Sequence, residues 1–396
     1  GLAQFTAELL RRGTQRRDAR GVDELVEGMG AHLWSDTNAD ESALGLTVPY
    51  DLAGSALDAL LEVALLPSFA ETEFQTLKKR TLSALASDLD DPGSIAGRAA
   101  VNLGFGEGHP YGHPLSGRVR SVDTFTRDDL IAFHRARFTA RGAVLSVCGS
   151  GVPSDLLALV RERVQVWSQH FSREAGEPNT PARGVARTGL SALIVHKPDS
   201  TQAQVRIVAA GRARTDEDWP EAAVANTVLG GGFTSILVDA IRVDRGLSYS
   251  VGTRLLANRH AGLSLFSSFT KNETLRELID VACDKMLRFA DAGPTADQLD
   301  KARTYLAGLY PFGLESHEAL AERFADSELD GVGLSRLATY RSRILAVTPE
   351  GARAVAKALS PMKDGARIIV VGDAAVAEKA LGGLCPLEVR PLDHFA

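Results

Sequence analysis

Two periodicities alternate along this chain. Short apolar runs that close on glycine, Val144-Leu145-Ser146-Val147-Cys148-Gly149 and Ile368-Ile369-Val370-Val371-Gly372-Asp373, predict strands entering turns. Longer periodic runs predict helices, among them the stretches around Leu77-Lys78-Lys79-Arg80-Thr81-Leu82 and Leu299-Asp300-Lys301-Ala302-Arg303-Thr304, and the helix that begins with Gly1-Leu2-Ala3-Gln4-Phe5. Thr126 and Thr348 stand where a helix N-cap is needed, each followed by acidic residues in the first turn. That placement is favourable because the unpaired N–H groups of a helix start carry partial positive charge.

The same order of elements occurs twice. Gly149 and Gly372 are 223 residues apart, while Thr126 and Thr348, and Leu77 and Leu299, are 222 apart. A strand-to-helix pair, Ala43-Leu44-Gly45-Leu46-Thr47-Val48 leading into Leu57, Leu60, Leu61 and Val63, returns as Ala261-Gly262-Leu263-Ser264-Leu265-Phe266 leading into Leu275, Leu278, Ile279 and Ala282. Two copies of one α+β domain account for this: residues 1–171 and 189–396, joined by a polar, breaker-rich linker at 172–188.

The copies differ in length. Two strand-like runs, Leu190-Ser191-Ala192-Leu193-Ile194-Val195 and Ala203-Gln204-Val205-Arg206-Ile207-Val208, precede the point equivalent to residue 1 in the second copy, and the first copy has no counterpart. Two full copies at this spacing take about 446 residues, so a further segment of about 50 is expected before Gly1. Without it the first sheet would expose unpaired backbone edges.

Composition narrows the function classes. With 396 residues, 44% of them apolar, the chain can bury two cores, which excludes disorder as its main state. The 44 Lys+Arg against 50 Asp+Glu form no basic stripe for nucleic acid, and no run reaches the about 18–20 apolar residues of a membrane span. Cys148, Cys283 and Cys385 are odd in number and in no CxxC arrangement, so they read as small hydrophobes rather than a disulfide frame or a zinc site. None of the nine histidines pairs at i,i+4 on a helix; His109 and His113 have that spacing, but across Pro110 and Gly112, so His109-Pro110-Tyr111-Gly112-His113 reads as a structural turn. Leu229-Gly230-Gly231-Gly232-Phe233 lacks the phosphate-loop pattern, so Gly230, Gly231 and Gly232 read as a close backbone approach or a hinge beside a cleft. Arg242 ends a helical run and Tyr249 opens a strand, with Gly246 between them, a turn able to fold the phenol back beside the guanidinium.

A longer set of motifs runs through the chain: Gly1-Leu2-Ala3-Gln4-Phe5-Thr6-Ala7-Glu8-Leu9-Leu10 with Gly13-Thr14, Pro67-Ser68-Phe69, Asp91-Pro92, His109-Pro110-Tyr111-Gly112, Leu130-Ile131-Ala132-Phe133-His134 and Val147-Cys148-Gly149. The second copy adds Leu229-Gly230-Gly231-Gly232, Ile241-Arg242, Arg245-Gly246-Leu247-Ser248-Tyr249-Ser250-Val251 and Ile369-Val370-Val371-Gly372. Together they resemble the pitrilysin-type zinc peptidases, the inverted-zincin or M16 metallopeptidases. That group includes insulin-degrading enzymes, mitochondrial processing peptidase and the core proteins of the bc1 complex. The resemblance implies two homologous α/β-sandwich domains forming half of a clamshell.

In active members of the family the inverted motif HxxEH supplies two zinc ligands and a general base, and a distal glutamate supplies a third ligand. Here the corresponding positions hold Gln4, Ala7, Glu8 and, distally, Ala84. One amide and one carboxylate do not make a zinc site at neutral pH, and alanine at the base position cannot activate water. Trp34 stands where the family commonly has an asparagine beside the cleft, filling space where a substrate strand would lie. The resemblance retains the family's arginine and tyrosine at Arg242 and Tyr249, the donors to substrate and oxyanion.

The resemblance therefore implies a non-zinc-binding subunit with no cofactor of its own. Its partner would be a homologous subunit with an intact HxxEH and its zinc, and the heterodimer would hydrolyse peptides. The alternatives are an inert structural subunit similar to the bc1 core proteins and a non-hydrolytic peptide-binding protein. A periplasmic location is favoured over a cytoplasmic one, with no targeting segment visible.

Overall fold

The continuous apolar runs of the second copy become the middle of a six-stranded sheet. In the computed structural model, which describes residues 1–149, 154–170, 189–359 and 365–395, this sheet contains β3 (Ser191–His196), β4 (Gln202–Ala210), β5 (Val251–Ala257), β6 (Gly262–Lys271), β7 (Arg367–Gly372) and β8 (Leu387–Pro391). Their order is β5-β6-β4-β7-β3-β8. β3 runs parallel to β7 and β8, and the β4–β7, β4–β6 and β5–β6 pairs are antiparallel.

Both faces of β3 and β7 are covered, which is why their middles are apolar throughout, whereas β4 carries the alternation Gln204-Val205-Arg206-Ile207. Ile194, Val205, Ile207, Phe266, Ile368 and Val370 point to one face and pack on the Leu275–Ala292 helix through Leu278, Ile279, Ala282 and Met286. Their neighbours Leu193, Val195, Val208, Leu265, Ile369 and Val371 point the other way, onto Ile95, Ala96, Ala99 and Phe105 of the Pro92–Phe105 helix. Asp91 caps that helix by accepting from the Gly93 and Ser94 N–H groups, and Pro92 fills its first turn.

The chain thus forms two compact α+β units that do not follow the order of the repeat. One comprises Gly1–Ala86, Leu115–Asn179 and Leu314–Leu329, and the other Ser87–Pro114, Thr180–Gly313 and Asp330–Ala396. The proposed linker at 172–188 lies outside the described residues.

The first unit has a two-stranded ribbon, β1 (His32–Thr37) antiparallel to β2 (Ser42–Thr47), and helices at Leu2–Leu10, Ala53–Leu65, Glu71–Asp88 and Arg127–Arg137. Phe5, Leu9, Leu10, Val63, Phe74, Leu77 and Leu130 form its core. The predicted caps are present: Thr126 accepts from Asp129 N–H while Asp129 reaches back, and Thr348 accepts from Gly351 N–H. His109 is buried in the predicted turn, where its Nδ1 accepts from Tyr111 N–H at 3.1 Å.

One predicted strand does not form. Residues Val144–Gly149 carry no strand pairing. In the second unit the equivalent strand, β7, is held between β3 and β4. Among the described residues the first unit has no counterpart of either, and an apolar run without a hydrogen-bonding neighbour has no ladder to join.

His134 links the Arg127–Arg137 helix to the end of the Ala53–Leu65 helix. Its buried ring stacks on Phe138, meets Phe69 edge-on, and places Nε2 2.8 Å from the Ala64 carbonyl, so the neutral imidazole donates there. Burial pushes its pKa below the ordinary value, with Arg135 adding to the shift and the Ala64 bond opposing it. Because the folded pKa lies below the unfolded one, His134 contributes fully above about pH 6.5, and that stability is lost as pH falls through the folded value. Denaturant unfolding from pH 7.5 to 5 is expected to show this decline, and His134→Gln, which keeps a donor but does not titrate, should flatten it.

Candidate functional site

Arg242 and Tyr249 are brought together as the sequence predicts. A wide helical turn at Val238–Val243 ends in the Asp244 N–H to Asp239 carbonyl bond, and Gly246 then reverses the chain at φ +60°, a value that favours glycine. Leu247 N–H returns to the Ile241 carbonyl at 2.9 Å, burying both side chains in the core of the second unit. β6 fastens the next residues: Thr270 Oγ1 donates to the Leu247 carbonyl at 2.7 Å, and Ser268 Oγ to the Ser250 carbonyl at 2.9 Å. Ser248 Oγ donates to that same Ser250 carbonyl at 2.8 Å.

Tyr249, held between these fixed points, projects outward and is 77% exposed. Its ring centroid lies 4.6 Å from Arg242 Cζ, a cation–π contact. Neighbouring Arg245 is engaged with the Ala240 carbonyl at 2.9 Å. Arg242 has no hydrogen-bond or ion-pair partner among the described residues, so its N–H groups remain available.

The glycine run has a packing role. Thr227–Gly231 is a wide helical turn packed on β5, and a Cβ at Gly230 would lie 2.6 Å from Thr253 Oγ1 and 2.7 Å from its backbone nitrogen. No side chain fits there without moving backbone. Gly232 N–H closes on the Thr227 carbonyl, and the chain emerges at Phe233, which is 85% exposed and has its ring 5.7 Å from Arg242 Cζ. In the sequence Phe233 stands only as the end of the glycine run. The signal that could have found it is a large apolar residue directly after a run that must lie close to the sheet.

The positions matched to the metal motif hold a different arrangement. On the Leu2–Leu10 helix, Gln4 Nε2 donates to Glu8 Oε1 at 3.2 Å, and Arg80, from the Glu71–Asp88 helix, pairs with Glu8 Oε2 at 2.6 Å. Ala7 is buried in the helix packing, and Ala84 is exposed. A carboxylate already holding a guanidinium, beside an amide and two alanines, does not fit a zinc ion. Among the described residues, no group of three or more His, Cys, Asp or Glu side chains is placed to hold a metal. Nothing in the sequence distinguishes Arg80 from its neighbours in the run Lys78-Lys79-Arg80. Trp34 sits opposite Gly45 in the β1–β2 ribbon with its indole over Gly45, where a Cβ would come within 2.2 Å of the ring.

A polar cavity of about 370 Å³ lies elsewhere in the second unit, lined by Glu107, Arg367, Glu388 and Arg390 among others. Arg390 is paired with both Glu107 and Glu388, and none of the predicted site residues lines the cavity. No helix among the described residues is long and apolar enough to cross a membrane.

Two family models match the chain and together span more than half of it: "Insulinase (Peptidase family M16)" over residues 1–90 and "Peptidase M16 inactive domain" over residues 124–306. The chain belongs to the M16 peptidase family. An uncharacterized zinc protease of Mycobacterium tuberculosis is 29% identical over 380 residues, covering 93% of this chain and 83% of the relative. Another, from Streptomyces coelicolor, is 27% identical over 90% of this chain and 78% of its own length. The Helicobacter pylori non-peptidase homolog YmxG is 25% identical over 80% and 72%. Among solved structures, a peptidase M16 inactive domain from Pseudomonas fluorescens superposes with TM-score 0.83 at 22% identity, over 94% of this chain and 89% of that one. A Helicobacter pylori protease gives TM-score 0.83 at 16% identity, over 94% and 88%. These structures share the two-domain α+β fold of this M16 chain.

Two outcomes are expected of the isolated M16 chain. Gly230→Ala should lower its unfolding free energy by about 1–3 kcal/mol, the usual effect of overpacking against backbone, as read by urea denaturation. Treatment with a strong chelator should leave its thermal midpoint unchanged; a clear fall would reveal a metal contribution to the fold.

Proposed function

We propose that this chain is the non-zinc-binding subunit of a heterodimeric M16 peptidase, supplying Arg242 and Tyr249 to the site of a homologous subunit with an intact HxxEH motif and its zinc. The observation that carries this reading is the state of the two side chains. They are packed 4.6 Å apart on a turn anchored by β6, with Tyr249 exposed and Arg242 uncommitted. The chain's own metal-motif positions meanwhile hold Gln4, Ala7, Glu8 and Ala84. Free donors in a chain whose own metal-motif positions do not fit zinc are useful when another chain brings the reacting centre.

In that role the Tyr249 O–H donates to the oxyanion that develops on the scissile carbonyl, and Arg242 N–H groups donate to a substrate carbonyl. Both act as preorganised donors in a site shielded from water. Peptides are the substrate class, and hydrolysis belongs to the assembled pair.

Co-purification from the native source, with metal analysis of the bound partner, comes first. The chain alone should hydrolyse no peptide with or without added zinc, and the reconstituted pair should. Within the pair, Tyr249→Phe should lower kcat by about 100- to 1,000-fold while leaving assembly intact, and Arg242→Ala should act comparably. Full activity in both variants would sink the assignment. The likeness to the Helicobacter pylori non-peptidase homolog supports a second reading as an inert structural subunit. A co-purifying homologue that also lacks a complete HxxEH would decide for it.

A further inference from the structure

We infer that Phe233 is a positioning residue: with Tyr249 it forms a two-ring aromatic cradle that fixes the Arg242 guanidinium while leaving its N–H donors free. The use of the oriented guanidinium rests on the proposed peptidase role, whereas the cradle itself does not.

Both rings lie within cation–π range of one cation, at 4.6 Å for Tyr249 and 5.7 Å for Phe233. The more common way to fix an arginine is a carboxylate, and two lie close in sequence, Asp239 and Asp244. Arg242 pairs with neither. A carboxylate would consume the donor edge of the guanidinium, because the fork of N–H groups lies in its plane. A ring quadrupole attracts the cation and takes no N–H, so the donors stay available to a carbonyl.

The exposure of Phe233 supports the same assignment. At 85% exposed it contributes little to the core, so the approach of its ring to the Arg242 guanidinium is not a by-product of core packing. Its backbone is nevertheless set firmly. Gly230 is pressed on Thr253, Gly232 N–H is bonded to the Thr227 carbonyl, and Ser235 N–H to the Gly232 carbonyl. The three-glycine run, read from sequence as a hinge or close approach, delivers this ring to the guanidinium. Val243, 68% exposed beside Arg242, adds no charge that would compete.

The test uses the intact chain labelled with ¹⁵N-arginine. The Arg242 Nε–Hε resonance, assigned by its loss in Arg242→Lys, should be shifted upfield by the ring currents. Phe233→Leu, which keeps the apolar bulk, should move it part of the way toward the exposed-arginine position, and Phe233→Tyr should restore it. Tyr249→Phe should leave it unchanged, since the ring remains. An Arg242 resonance at the exposed-arginine position in the parent chain, or unmoved by Phe233→Leu, would overturn the cradle whatever the peptidase assays show. In a reconstituted pair, Phe233→Leu should lower kcat/KM by about two- to five-fold, matching one exposed cation–π contact, with Phe233→Tyr recovering it. A peptidase-silent pair with the expected resonance shifts would count against the peptidase role and for the cradle.

Discussion

The structure depends on one requirement, that every backbone N–H and C=O of a buried strand find a partner. In the second unit β4 meets it on both sides, with β6 and β7, and β7 meets it with β4 and β3. Because the ladder fixes β6, Ser268 and Thr270 stand at defined places along it, and their hydroxyls fasten the carbonyls on either side of Tyr249. An exposed phenol is thereby given a set position by hydrogen bonds made in the sheet beneath it. The same requirement explains the failure at 144–149, where an apolar run has no strand beside it among the described residues and remains without regular structure.

Much of this was legible in the sequence. The strands β3, β4, β6 and β7 follow from short apolar runs bounded by breakers, and the Thr126 and Thr348 caps from residue type and spacing. The approach of Tyr249 to Arg242 follows from a glycine placed between a helix end and a strand start, since a tight reversal is needed to join them over so few residues. The sequence does not reveal the surface that each apolar face meets. The run Val144–Gly149 states a preference for pairing and not that a partner is at hand. That Pro92–Phe105, from the first half of the chain, covers one face of the second sheet is invisible to a repeat, which reports similarity and not contact. Phe233 is hard to find in the sequence because a single surface aromatic carries no periodicity.

The two sets of candidate residues differ in how their polar groups are engaged. At Arg242 and Tyr249 the local structure keeps donors unpaired and accessible, an arrangement that does little for folding. At the metal-motif helix, the polar groups that remain at the motif positions are engaged inside the chain. Gln4 bonds to Glu8, and Glu8 bonds to Arg80. An exposed ion pair of this kind contributes little to stability, about 0–1 kcal/mol, so its significance lies in the space it occupies.

That pairing bears on what a metal site at these positions would require. Rebuilding histidines and a glutamate at positions 4, 7 and 8 would still leave Ala84 without the distal carboxylate, and Arg80, on the same helix as Ala84, reaches the carboxylate at position 8 in the present chain. A divalent cation arriving there would meet a resident guanidinium, and coordination would have to overcome that repulsion in addition to organising the ligands. A complete ligand set therefore needs changes on two helices, Leu2–Leu10 and Glu71–Asp88, which lie seventy-odd residues apart along the chain.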